Sequence, residues 1–253
     1  MIDTHCHIYL EDFDNDREAM VLKSVNEGVG KFLLPAIDSG THSSELSVAA
    51  GFPGKCFAMM GLHPCSVKEN YREELAIARA YFEAENIIAV GETGLDYYWD
   101  LSFKAEQEAA FDVQIGWALE KDIPVVIHSR NATDDCIRMI GARQNGRLKG
   151  VFHCFSGTAE QARQIVDMGF FLGIGGVLTF KNAGLDAAIR DIPVEHMVLE
   201  TDAPYLAPVP YRGKRNESSY LPLIAAKLAE VKSISSEAVA VQTTNNAIKL
   251  FAL

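Results

Sequence analysis

The sequence predicts an α/β chain folded as a (β/α)8 TIM barrel, a single domain over residues 1–253 with an extra helix at its C-terminal end. Three observations predict it. Eight short runs rich in Val, Ile, Leu and Phe alternate with longer amphipathic stretches over 253 residues, and that count and rhythm belong to a closed parallel barrel. The short runs are apolar almost without interruption, as parallel strands are when helices cover them on the outside. Five of the seven histidines close such a run, and a barrel carries its chemistry at those strand ends.

The strand candidates are Ile2–His7, Lys31–Pro35, Cys56–Leu62, Ile87–Gly91, Pro124–His128, Gly150–His153, Phe170–Ile174 and Met197–Thr201. Between them lie helical patterns such as "DNDREAMVLKSVNEG", "SFKAEQEAAFDVQIGWALEKD", "TAEQARQIVDMG" and "NAGLDAAIRDI". Ser102, Thr158 and Asn182 stand where N-caps are expected, because their side-chain oxygens accept from the orphan N–H groups of a first turn. Gly28, Gly169 and Pro193 stand where helices are expected to stop. Two further helices, Ser219–Lys232 and Ser235–Leu250, close the chain. An open doubly wound sheet is the alternative, and it needs a phosphate-binding glycine turn after an early strand. "GIGG" at 173–176 follows the seventh run and lacks the GxGxxG spacing.

Hydrophobic residues form 48% of the chain, enough for a sizeable core. The formal net charge is −11, from 23 basic and 34 acidic residues. On bulk charge this is not a nucleic-acid coat or a membrane-surface protein, although a local basic patch can still meet an anionic substrate. No apolar run approaches the ~20 residues that span a bilayer, and acidic residues interrupt the N-terminus where a secretory signal would be apolar. No membrane and no obligate protein partner is expected. Cys6, Cys56, Cys65, Cys136 and Cys154 are odd in number and scattered, so free thiols in a reducing cytoplasm are expected.

The run-ending residues converge on one chemistry. His5 and His7 end the first run, His63 the third, Glu92 the fourth, His128 the fifth and His153 the sixth, and Asp202 follows the eighth. Strand side chains alternate, so His5 and His7 share a face that Cys6 leaves, and Cys154 likewise turns away from His153. Both cysteines are read as packing. His42, at a helix start, is expected on the surface, and His196 at the opposite rim. Imidazoles with carboxylates on one rim signal divalent metal. The set suffices for two ions, with His5, His7, Glu92 and Asp202 on one and Glu92, His128 and His153 on the other. Glu92 is the expected bridge, because one carboxylate can span ions about 3.5–4 Å apart. Zn, Mn and Mg all stay open as the ion.

Asp202 and Glu92 are the candidate catalytic residues, Asp202 as the group that orients or deprotonates a water. Glu200 lies two positions before Asp202 and is a candidate either to share its inward face and support a ligand from behind or to be a salt-bridged carboxylate at the strand end. Arg212, Lys214 and Arg215 of "YRGKRNE" are candidate phosphate ligands, since Arg offers a bidentate fork and Lys a point charge. His63 is a further phosphate candidate and Arg130 a weaker one. Tyr97, Tyr98 and Trp99 are candidates either to stack on bases or to pack over the barrel mouth.

Together, "IDTHCH", "GLHP", "GETGLDYY", "PVVIHSR", "FHCFSG", "GFFLGIGGVLTFKN", "LETDAPYLAP" and "YRGKRNE" resemble the TatD-type metal-dependent deoxyribonucleases, a branch of the amidohydrolase-like barrels. The matching stretches run from Ile2 to Glu217, and the closing "TTNNAIKLF" is similar too. The resemblance implies a (β/α)8 fold, two divalent ions and hydrolysis of phosphodiester bonds in DNA, with 3′-to-5′ exonuclease activity typical of members. The family pattern reads Asn-Glu-Pro where this chain has Asn216, Glu217 and Ser218, in a loop expected to meet substrate. The competing reading is a related binuclear enzyme cleaving a C–N or C–O bond in a small molecule. Many such relatives carry a modified lysine where this chain has Glu92.

Overall fold

The computed structural model describes residues 1–253. Its strands are β1 (Ile2–Asp3), β2 (Lys31–Leu34), β3 (Cys56–Ala58), β4 (Val90–Asp96), β5 (Val125–Arg130), β6 (Gly150–Phe152), β7 (Phe171–Ile174) and β8 (Met197–Leu199). Regular parallel ladders join β1 to β3 and β4 to β8. Two short seams close the ring. Met60 bridges Val90, its N–H donating to Ala89 O at 3.1 Å while Gly91 N–H donates to Met60 O at 3.0 Å. Cys6 bridges Ala203, with Thr4 N–H donating to Leu199 O at 3.0 Å and His7 N–H to Ala203 O at 2.7 Å. The fold is therefore the expected (β/α)8 barrel.

The covering helices are α1 (Arg17–Asn26), α2 (His42–Gly51), α3 (Tyr71–Ala84), α4 (Lys104–Lys121), α5 (Thr133–Arg143), α6 (Ala159–Asp167), α7 (Leu185–Ile189), α8 (Leu221–Lys232) and α9 (Ser236–Phe251). Thr158 caps α6 in a reciprocal box with Gln161, and Ser235 Oγ caps α9 by accepting from Ala238 N–H. Ser102 and Asn182 do not cap. Ser102 N–H is tied to Asp100 Oδ1 at 2.8 Å, and α4 begins only after Phe103. α7 begins after Gly184, two residues beyond Asn182. His42 is also corrected: it is 1% exposed and packs edge-on against Tyr81 of α3. The first turn of α2 faces the core, so its opening residue is covered.

Strand alternation divides the apolar residues into two layers. Ile2, Leu33, Met59, Ala89, Val126, Val151 and Val198 form an inner cluster that half-buried Phe171 completes, giving a member at each strand. Ala247, Leu250 and Phe251 of α9 join it, so the extra C-terminal helix plugs the floor of the barrel. The residues between these positions, such as Ile127, Phe152 and Leu199, belong to a larger outer cluster shared with the helices.

The same parity aims the site. Counting in twos from Val126, Val151 and Val198 brings His128, His153 and Glu200 to the axis above the plug. Two places break parity. Val90 faces Val125 but Thr93 faces Ile127, so β4 holds one extra residue. Strict alternation from Ala89 would aim Thr93 inward, and the irregularity aims Glu92 there instead. The first strand stops pairing after Asp3, and a bend carries His5 and His7 inward while Cys6 packs in the outer cluster.

Candidate metal centre

Glu92 is the hub of the rim. It is 2% exposed, and five imidazoles surround it. Its Oε1 lies 2.8 Å from His128 Nδ1, 2.8 Å from His153 Nε2 and 3.4 Å from His63 Nε2. Its Oε2 lies 3.1 Å from His5 Nε2 and 3.7 Å from His7 Nε2. Burial by itself would raise the Glu92 pKa, but the imidazoles of His153, His63 and His5 overturn that and hold it well below the usual carboxylate range. Asp202 completes the first group, its Oδ1 3.7 Å from His5 Nε2 and 3.6 Å from His7 Nε2. Burial opposes its ionisation too, and His7, His153 and His5 again lower its pKa.

Groups on the far side of His7, His128 and His153 decide which nitrogen each ring offers as a lone pair. Tyr9 donates its hydroxyl to Pro35 O at 2.6 Å, so its oxygen accepts from His7 Nδ1–H at 2.9 Å. That leaves the His7 Nε2 lone pair facing Glu92 and Asp202. His128 directs Nε2 to Asp96 Oδ2 at 2.8 Å, leaving Nδ1 for the cluster. His153 Nδ1 lies 3.4 Å from Glu200 Oε1, leaving Nε2. Burial opposes the charged form of both rings, but Asp96 with Glu92 raises the basicity of His128, and Glu92 with Glu200 that of His153. A carboxylate behind the ring is the arrangement that orients metal-bound imidazoles. His63 differs. Its Nδ1 accepts from Cys65 N–H at 3.0 Å, so its proton sits on Nε2 and it is a donor towards the cluster.

Groups that could hold a metal fall within 4.8 Å of one another in overlapping sets: His5, His7 and Glu92; His5, His153 and Asp202; and Glu92 and His128, beside which His63 also stands but with its proton turned inward. Imidazole nitrogens and ionised carboxylate oxygens converging on one rim are the donor set of a divalent first-row ion, and they fit one here.

The structure brings His5, His7, His63, Glu92, His128, His153, Glu200 and Asp202 together. It divides the basic loop. Arg212 lies over the Phe180 ring at 4.4 Å and Lys214 is exposed 5.9 Å from the Tyr211 ring, and neither meets a carboxylate. Arg215 is corrected: it forks onto Asp16 at 2.8 and 2.6 Å and donates to Asp12 O at 2.6 Å. It fastens this loop to the start of α1 and has no free fork for phosphate. Ser218 is fully buried at the first position of a short 3-10 turn, Ser218–Tyr220.

Three residues escaped the sequence reading. Asp96 orients His128, and its signal was the spacing Glu92, Gly94, Asp96 on one face of a strand end. Tyr9 fixes the His7 tautomer, two positions beyond the ring it holds. Asp3, fully buried, accepts from Thr201 N–H at 2.9 Å and Thr201 Oγ1–H at 2.6 Å, pinning β1 to the chain that leads to Asp202. Burial pushes its pKa up to about 6.

Comparison with known proteins agrees with this geometry. A family model described as TatD related DNase matches residues 2–252. A Bacillus subtilis protein named uncharacterized metal-dependent hydrolase YabD is 36% identical over 252 residues, covering 99% of this chain and 98% of that one. A Pantoea ananatis protein named 3′-5′ ssDNA/RNA exonuclease TatD is 32% identical over 261 residues, covering 100% of both chains. The crystal structure of the Escherichia coli TatD homolog YjjV matches with a TM-score of 0.94 at 30% identity, covering 100% of this chain and 98% of that one. The chain belongs to the TatD-related DNase family, and it is a metal-dependent hydrolase of ester bonds.

Proposed function

We propose that this protein hydrolyses phosphodiester bonds in DNA, removing nucleotides from single-stranded 3′ ends with two divalent ions, drawn from Zn, Mn and Mg. One observation carries the reading: Glu92 divides its oxygens, Oε1 towards His128 and His153 and Oε2 towards His5 and His7. A carboxylate so placed suits a pair of ions. His5, His7 and Asp202 would hold one beside Oε2, and His128 and His153 the other beside Oε1. Such ions supply Lewis-acid neutralisation of phosphoryl charge and a water acidified towards neutrality.

The chain's own residues position and move protons. His63, protonated on Nε2, donates to a phosphoryl oxygen. Asp202, held ionised by its histidines, orients the attacking water and takes its proton. Asp96 and Glu200 keep His128 and His153 in their working orientation. Arg212 and Lys214 are exposed and free of carboxylates, and they draw the strand's phosphates to the rim. The exonuclease name of the Pantoea ananatis relative supports a nucleic-acid substrate. No helix is long and apolar enough to cross a membrane. Free thiols at all five cysteines suit the cytoplasm.

The test strips metal with a chelator, reloads Mg, Mn or Zn, and follows a labelled single-stranded oligodeoxynucleotide beside Glu92→Ala. The expected result is a metal-dependent ladder shortening from the 3′ end, absent in the variant. Turnover of an amide or ester panel with no DNA cleavage would sink the nuclease reading. Equal activity in Glu92→Ala would sink the site.

A further inference from the structure

Beside the histidine cluster, the rim carries a cationic and aromatic corner that the proposed chemistry does not use. Tyr98 and Trp99, just past β4, are 52% and 69% exposed, with ring centroids 4.8 Å apart in an edge-to-face pair. Arg130 ends β5, and its guanidinium carbon lies 3.8 Å from the Tyr98 ring centre and 5.3 Å from that of Trp99. Its cation rests on rings instead of a carboxylate. Arg130 also lines a neighbouring cleft of about 920 Å³ with Lys104, Ser129, Asn131, Asp134 and Asp135.

This corner is built as an extension of the catalytic strands. Tyr97 N–H donates to Arg130 O at 2.9 Å, carrying the β4–β5 pairing beyond the sheet. Asp96 Oδ1 accepts from Tyr98 N–H at 2.9 Å and Trp99 N–H at 3.2 Å, while Asp96 Oδ2 holds His128 at 2.8 Å. One carboxylate thus sets the position of the aromatic loop relative to a candidate metal ligand.

We propose that Tyr98, Trp99 and Arg130 form a subsite for the unpaired nucleotide next to the scissile phosphate, with its base stacked on Trp99 and its phosphate at Arg130. The subsite rests on the nuclease reading above. An exposed indole face suits any base, because every base has a π-face. The guanidinium, which meets no carboxylate, is the cation for the neighbouring phosphate. A duplex hides its base faces, so the corner selects a single strand.

Tryptophan fluorescence tests this directly. Of the two tryptophans, Trp117 is 8% exposed and Trp99 is 69% exposed, so Trp99 reports a stacked base. Metal-stripped protein, which cannot cut, is titrated with octathymidylate and with an abasic octamer of the same charge. Octathymidylate should quench Trp99 and bind roughly tenfold tighter than the abasic strand, the scale of a base–aromatic stack. Trp99→Ala should erase that preference, and Arg130→Ala should weaken both strands, read by anisotropy of labelled oligomers. No quenching, equal binding of the two strands, or a base preference that persists in Trp99→Ala overturns the subsite. Metal-dependent cleavage without base preference would leave the nuclease reading standing and remove the subsite. Base-dependent quenching in a protein that never cuts DNA would do the reverse.

Discussion

The Asp96 carboxylate holds His128 Nε2 at 2.8 Å with one oxygen and the Tyr98 and Trp99 amides with the other. Replacing it with asparagine keeps the shape but removes the charge that fixes the ring. Asp96→Asn should weaken metal binding about 10–100-fold, the usual cost of losing such a partner. Calorimetric titration of the stripped protein measures it. Unchanged affinity would mean that His128 does not bind metal. Tyr9→Phe tests the same principle at His7.

Metal should also stabilise the fold. At an ion concentration one hundred times its Kd, linkage adds about 2.7 kcal/mol, or roughly 5–10 °C in Tm for a chain of this size. Thermal scans with and without chelator check this. No difference would contradict a site formed only in the native state.

Glu45 of α2 is fully buried, with Oε1 accepting from Met59 N–H at 3.1 Å and Oε2 unpartnered. Burial lifts its pKa well above the ordinary carboxylate range. The folded form therefore keeps the proton that the unfolded chain gives up near pH 4.5. The stability this contributes is full below that pH and is lost as pH rises towards the folded pKa. Glu45→Gln stays neutral throughout. Its advantage over the native chain should grow by about 1.4 kcal/mol per pH unit above pH 4.5. Urea unfolding at several pH values tests the slope, and a pH-independent difference would refute it.

Gly94 lies between the two carboxylates of β4 with φ of +129°, and a Cβ there would sit 2.1 Å from His128 O. Both the backbone region and the contact exclude a side chain. Gly94→Ala should cost more than about 4 kcal/mol or yield no soluble fold. A variant with native Tm would contradict the close approach of β4 and β5.

The basic loop should split by function. Arg212→Ala and Lys214→Ala should raise KM for DNA and each lower the salt slope of binding by about 0.7. Arg215→Ala should leave that slope unchanged and cost up to about 1 kcal/mol of stability, as expected of a partly exposed ion pair. An Arg215→Ala salt slope shifted like the other two would restore it as a phosphate ligand.

What the sequence determined by itself was the architecture and the cast. Eight apolar runs, helices between them and histidines at run ends follow from composition and period, which act locally. They were enough to place His5, His7, Glu92, His128, His153 and Asp202 on one rim. Tertiary structure decided how those side chains point and what holds them. The extra residue in β4, which turns Glu92 and not Thr93 inward, is a property of pairing with β5 and has no mark in a single strand's pattern. Asp96 reaches His128 across 32 positions and Asp3 reaches Thr201 across 198. Arg215 looked identical in kind to Arg212 until Asp16, 199 positions away, took its charge. Partners that distant are chosen by chain closure and burial, so local spacing could name the ligands but not their tautomers, supports or rivals.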